Sequence, residues 1–300
     1  MTRTTLLREM KKNRAAYIML TPFFVLFCVF VVLPVLSAIL LSFTSFNMLS
    51  TPRFVGFENY IRMFLDDAVF LNDVRNTLIF ALLTGPVSYF ACLFLAWFVN
   101  ELSRRARTIM TFLLYVPSMS GGVFVIWKYI FSGDKYGLIN SLLIRMSVIF
   151  EPIQWLTDTS YMLTIAIIVQ IWMSLGTAFL AFIAGFQGID RQMYESAAID
   201  GVRNRWQELW YITLPSMSAQ LLFGAVMQIG SSFAAGAVSA ELFGSPSTDY
   251  AADTIVTHMS DMGIVRFEMG YASAISVVLF IMMLLFNKWI RKALSHFSDD

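Results

Sequence analysis

The sequence predicts an all-α protein that crosses a membrane six times. Three observations carry that expectation: 58% of the 300 residues are apolar and only 14% charged, the apolar residues fall into six long runs, and the basic residues divide unevenly among the segments between them. A soluble domain carries roughly 45–50% apolar and about 25% charged residues, so a mean hydropathy of +0.68 is that of a membrane chain. The 21 basic and 20 acidic residues nearly cancel, so nothing in the charge points to nucleic acid.

A helix needs about 20 mostly apolar residues to cross a hydrocarbon core of ~30 Å. The first run, Tyr17 to Phe43, follows a basic amino-terminal tail, residues 1–16. It is nearly twice the usual length of a signal-peptide core and lacks an A-x-A cleavage site, so it is expected to stay as an anchor. The next runs are Thr77 to Val99, Ile109 to Phe131 and Tyr161 to Phe186. The fifth, Pro215 to Ala240, is interrupted by Gln220, Gln228, Ser231 and Ser232. Polar residues inside a span are tolerated where they face protein or a cavity, so this span is expected to face a cavity. The sixth, Met269 to Trp289, closes a membrane domain of residues 17–293 and leaves a short tail, 294–300. Cys28 and Cys92 lie inside apolar runs without CxxC or Cys/His spacing and read as small lipid- or core-facing residues.

Six spans put both termini on one side. The segments on that side hold 14 lysines and arginines against 7 on the other, which places both termini in the cytoplasm. Within the spans there is no Asp, Glu or Arg, and Lys128 and Lys288 sit only at span ends. A carrier driven by an ion gradient usually holds an ionisable group near mid-membrane, so its absence argues against a self-sufficient secondary transporter, although coupling through carbonyls and hydroxyls stays open. The chain has no Gly-Lys pair with which to build a phosphate-cradling P-loop, nor a G-x-S-x-G elbow or an H-E-x-x-H metal site. It is therefore not expected to be an enzyme, its own ATPase or a metal protein. Its two histidines, His258 in an outer loop and His296 in the tail, read as solvated residues rather than ligands.

The most informative segment is the loop Gln187 to Leu214 between the fourth and fifth runs. Asp190 to Asp200 mixes Met193, Ala197 and Ile199 with Arg191, Gln192 and Glu195, the pattern of a short amphipathic helix. Gly201 suits the left-handed residue that ends such a helix, and Val202, Trp206, Leu209 and Trp210 resume helical spacing up to Leu214 and Pro215. A helix-Gly-helix elbow on a cytoplasmic loop suits docking to another protein. Packing against the chain's own helix ends is an equally open reading of the same residues.

At these residues the sequence resembles the permease subunits of ATP-binding-cassette importers, whose loop reads approximately E-A-A-x-x-x-G followed by an apolar residue and L-P. The matching positions are Glu195, Ala197, Ala198, Asp200, Gly201, Ile212, Leu214 and Pro215, with Ser196 in place of the first alanine and Tyr194 just ahead. The stretch Phe54 to Tyr60, Asn76-Thr77-Leu78, Tyr136 to Asn140 and Gly270 to Ala274 look like the sugar-importing branch. Phe243 to Pro246 departs from it, reading Phe-Gly-Ser-Pro where that branch often has a Gly-Gly-Pro turn. The resemblance implies a type I importer transmembrane fold in the cytoplasmic membrane of a bacterium. It also implies partners: a second, similar permease, two ATPase subunits that bind ATP and magnesium, and an extracytoplasmic binding protein that delivers a carbohydrate, here an oligosaccharide. In that family the glutamate-bearing helix sits in a groove on the ATPase, so closure of the ATPase pair on ATP switches the permeases between inward-open and outward-open states.

A sugar site needs a few hydrogen-bonding side chains among apolar and aromatic ones near mid-membrane. The fourth run offers Gln170, Trp172, Leu175, Gly176 and Phe179, and the fifth Gln228, Ser231, Ser232 and Phe233. The resemblance favours these positions, because solute contacts fall there in sugar permeases. Each also has an ordinary alternative, as lipid-facing or packing surface for the aromatics and helix-helix contact for the serines. The same machinery moving a glycerophosphodiester or polyamine is a further alternative; a charged solute would call for ion-pair partners, which these two runs lack.

Overall fold

Prolines shape both ends of this bundle. In the computed structural model, which describes residues 13–295, the first span is α1 (Arg14–Leu41). Its segment Cys28–Val32 is wound as a wider π-turn just ahead of Pro34. Proline lacks an N–H and its ring crowds the carbonyl four residues back, and a wider turn relieves both. None of the most apolar stretch of α1 is buried, so it faces lipid or another subunit. A small antiparallel pair follows, β1 (Thr44–Ser45) with β2 (Arg53–Phe54), then α2 (Glu58–Leu65).

The second span, α3 (Ala68–Asn100), starts well before the apolar run because Asp67 caps it, accepting a 2.9 Å hydrogen bond from the Phe70 amide. The third run does not form the single helix expected over 109–131. It divides into α4 (Arg104–Met119) and α5 (Val123–Ile130), bent by 86° at a break of Ser120, Gly121 and Gly122. Pro117 removes a helical hydrogen bond and the two glycines are poor helix formers, so the chain turns there. A short helix, α6 (Leu138–Arg145), follows. The fourth span is α7 (Thr159–Met173) followed by α8 (Thr177–Gly188), interrupted at residues 174–176.

The loop then forms α9 (Arg191–Ile199) and α10 (Arg205–Glu208), followed by a second π-turn, Leu209–Thr213, again ahead of a proline. Pro215, expected inside the fifth span, belongs instead to a single turn, Leu214–Ser216, before it. That span is α11 (Ser218–Phe233) and α12 (Gly236–Phe243), broken at Ala234 and Ala235. α13 (Ile255–Ser260) and α14 (Met269–Ser295) complete the chain. Among the described residues five helices are long and apolar enough to cross a membrane, six if α4 and α5 form one span.

α3 is the central strut, packed by α8 and α11 along one side and by α7 along another. Gly224 of α11 lets Phe182 of α8 lie so close that an added Cβ would stand 2.4 Å from its ring. Small residues at such crossings let helix backbones approach within lipid, where apolar surface alone gives little drive to associate.

His258 corrects an expectation. It is not solvated but 4% exposed, with Nε2 3.1 Å from Asp67 and Nδ1 3.4 Å from the fully buried Asp73. Asp67 also accepts a 2.7 Å hydrogen bond from the Tyr271 hydroxyl. The contact joins residues 191 positions apart, which no local pattern could reveal. His296 and the basic residues through Lys12 lie outside the described residues.

Candidate transport cleft and docking elbow

A cleft of about 340 Å³ opens where the fourth and fifth spans are broken. Of the residues singled out in the sequence, Gln170, Gly176, Gln228 and Ser231 line it. Gln170 donates from Nε2 to the Ser231 hydroxyl at 3.1 Å, and Gln228 donates from Nε2 to the Ser174 carbonyl at 3.2 Å. The second bond adds to the 2.8 Å bond that the same carbonyl accepts from the Gly176 amide, so the turn at residues 174–176 is held both from within and by α11. Irregular backbone at membrane depth is tolerated where it lines a cavity in this way.

The other five residues sit elsewhere. Phe179 and Leu175 are in an interior cluster with Cys92, Leu93 and Phe182, and Phe233 packs edge-on against Phe286 at 5.1 Å. Ser232 is buried and donates to the Gln228 carbonyl. Trp172 is exposed, its ring 5.4 Å from that of Trp127, outside the cleft lining. Helical spacing explains this division: the stripe that carries Gln228 and Ser231 into the cleft turns Ser232 and Phe233 towards α3 and α14. The cleft also gathers Ser118, Ser174 and Thr177, which the sequence reading passed over. Their signal was the break itself, since Gly121-Gly122 and Gly176 mark where helices stop. The cleft lining carries no charged side chain.

At the far end, α9 is capped by Asp190, whose side chain accepts from the Gln192 amide at 3.0 Å. It ends as the spacing predicts: the Val202 amide donates to the Ala197 carbonyl, and Gly201 takes φ +97°. Among the described residues Glu195 pairs only with Arg191 of its own helix, at 3.3 Å, and both are exposed. Ser196, Ala198, Ile199 and Asp200 are exposed with it, while Ala197 is half-buried. One edge of α9 is tied to the bundle, where the Tyr194 and Thr213 hydroxyls meet at 2.9 Å. The second arm is fixed by Arg205, which reaches Glu101 at 3.2 Å and Glu208 at 2.7 Å, and by Trp206, whose ring lies 5.2 Å from Trp97. The elbow thus splits the two readings of its sequence: α10 packs on its own subunit, while the outer face of α9 is exposed.

Residues 88–296 match the family described as the inner membrane component of binding-protein-dependent transport systems, more than half of the chain. The chain belongs to that family. The permease is therefore a transport component of an inner membrane rather than an enzyme, and it works with partner subunits. It is 30% identical over 292 residues to the probable ABC transporter permease protein YesP of Bacillus subtilis (strain 168), covering 95% of this chain and 92% of that one. To the arabinooligosaccharides transport system permease AraP of the same organism it is 29% identical, over 96% and 91% of the two chains. The lactose transport system permease LacF of Rhizobium radiobacter is 31% identical over 70% of each. In fold the permease is similar to a chain in the crystal structure of a bacterial alginate ABC transporter in complex with an alginate pentasaccharide-bound periplasmic protein. The TM-score is 0.78 at 22% identity, covering 98% of both chains.

Proposed function

We propose that this permease forms, with a second permease, the pathway by which an uncharged oligosaccharide enters a bacterial cell, both termini lying in the cytoplasm. An extracytoplasmic binding protein delivers the solute, and two ATPase subunits holding ATP and magnesium dock on the outer face of α9. The observation that carries this reading is the cleft at the paired helix breaks, where amides and hydroxyls face one another without a charge. Neutral glycan hydroxyls need that set of donors and acceptors, whereas a carboxylated glycan would need a cation. The names of AraP and LacF support a saccharide, and the exposed edge bearing Glu195, Ser196 and Ala198 supports the docking role. ATP closure supplies the free energy that separates inward-open from outward-open states. The test is uptake in vesicles containing the assembled complex, with neutral and uronate-containing oligosaccharides of equal length presented with the binding protein. Import of the uronates alone would overturn the assignment of an uncharged solute.

A further inference from the structure

Towards the end of the bundle that carries α9, a second cleft of about 420 Å³ lies between the first three turns of α4 and the face of α8 that carries Leu180, Ile183 and Gln187. Its rim is formed by Arg104, Arg107 and Thr108, and its floor by Phe112, Leu180 and Ile183. Neither arginine has a carboxylate partner among the described residues; Glu101, the nearest acid in sequence, is taken by Arg205. Arg107 is held in place by loop carbonyls, its Nη2 donating to Asn100 at 2.6 Å and Leu102 at 3.3 Å, while its Nε is enclosed and finds no acceptor. Phe112 lies two turns beyond Arg104, about 12 Å along the helix, and its ring is exposed. Cations therefore stand at the depth where the apolar surface begins, and an apolar trough runs inward from them.

We propose that this cleft seats one anionic phospholipid, its phosphate between Arg104 and Arg107 and an acyl chain along Phe112, Leu180 and Ile183. The inference rests on the permease reading, with the α9 end in the cytoplasm. Charge complementarity selects the headgroup, since basic pockets between spans at that surface attract anionic lipid. The trough selects a lipid over a free anion, which would leave the apolar floor without a partner. Such a lipid joins α4 to α8, the helix that leads directly into α9.

The experiment uses the full-length chain purified with the subunits it assembles with, stripped of lipid, and counts bound lipid by native mass spectrometry. Dioleoylphosphatidylglycerol is expected to bind at least about tenfold more tightly than dioleoylphosphatidylcholine, and the R104Q/R107Q variant to lose that preference. L180N, which keeps both cations, is expected to weaken phosphatidylglycerol as well. Equal binding of the two lipids, or an R104Q/R107Q variant that binds phosphatidylglycerol like the unmodified chain, overturns the proposal. So does displacement by inorganic phosphate alone, the mark of a free-anion site, or a photo-crosslinker at position 112 that captures protein instead of lipid. If no ATPase co-purifies, the docking role of α9 fails by itself, and the lipid preference of the chain still decides this one.

Discussion

Replacing Gly201 isolates the elbow from everything else in the protein. A Cβ added there meets no atom within 4 Å, so substitution costs no packing; the whole effect comes from φ +97°. For a residue with a Cβ the left-handed region costs roughly 1–2 kcal/mol, and a β-branched side chain stands at or above the top of that range. At about 1.4 kcal/mol per factor of ten, Gly201→Ala lowers the population of the observed elbow about tenfold, and Gly201→Val by about thirtyfold or more. Gly201→Asn, which tolerates this backbone better, restores part of it. If the outer face of α9 docks on an ATPase, ATP-driven uptake in vesicles and retention of the ATPase subunits fall in the order Gly, Asn, Ala, Val. The thermal melt of the membrane domain stays unchanged through the series. A Gly201→Val chain that keeps its ATPase and imports at the unmodified rate would refute the argument.

Three other expectations follow from the packing and the clefts. Gln170→Ala should reduce uptake by roughly tenfold without altering assembly, because it removes a cleft donor worth about 1–2 kcal/mol to a hydroxylated solute; uptake kinetics on the purified complex decide it. Gly224→Leu should lower the melting temperature by several degrees, the overpacking against Phe182 costing about 1–3 kcal/mol, as a detergent melt would register. Burial alone would raise the Asp67 carboxyl, but hydrogen bonds from Tyr271 and the Phe70 amide, with His258 beside it, hold it below its usual value. Its stabilising contribution is therefore present above about pH 4 and lost as pH falls through the lowered value, so the acid-side loss of melting temperature should shrink in Asp67→Asn.

Much of this was legible from one-dimensional pattern. Run length gave the spans, and the composition around Asp190 and Gly201 gave the elbow with its cap and left-handed turn, because both are local. The helix breaks were half visible: Pro117, Gly121-Gly122 and Gly176 are present in the sequence, but apolar run length overrode them in the third span. Phe179 and Phe233 were grouped with the cleft because spacing along a helix does not say which neighbour occupies which face. The clamp of His258 between Asp67 and Asp73 was illegible for a plainer reason. It depends on three residues brought together by the complete path of the chain, and a histidine in a polar loop looks the same before and after burial.

The interruptions of the fourth and fifth spans both border the cleft, and this cuts the side-chain packing around them into two blocks, joined by the unbroken helix α3. Above the cut, Ile165, Ala166 and Val169 of α7 hold Ala235, Val238 and Leu242 of α12. Below it, Phe179, Phe182 and Phe186 of α8 hold Cys92, Ala96 and Val99 of α3 together with Leu209 and Met217, the residues that lead out of the elbow. A push on α9 therefore reaches the lower block first, while the upper block has its own contacts and shares α3, through Phe80, with the lower one. The fulcrum is the seam between them, pinned by Gln228 to the Ser174 carbonyl. A tilt of one block on the other changes the width of the cleft, whose lining is drawn from both.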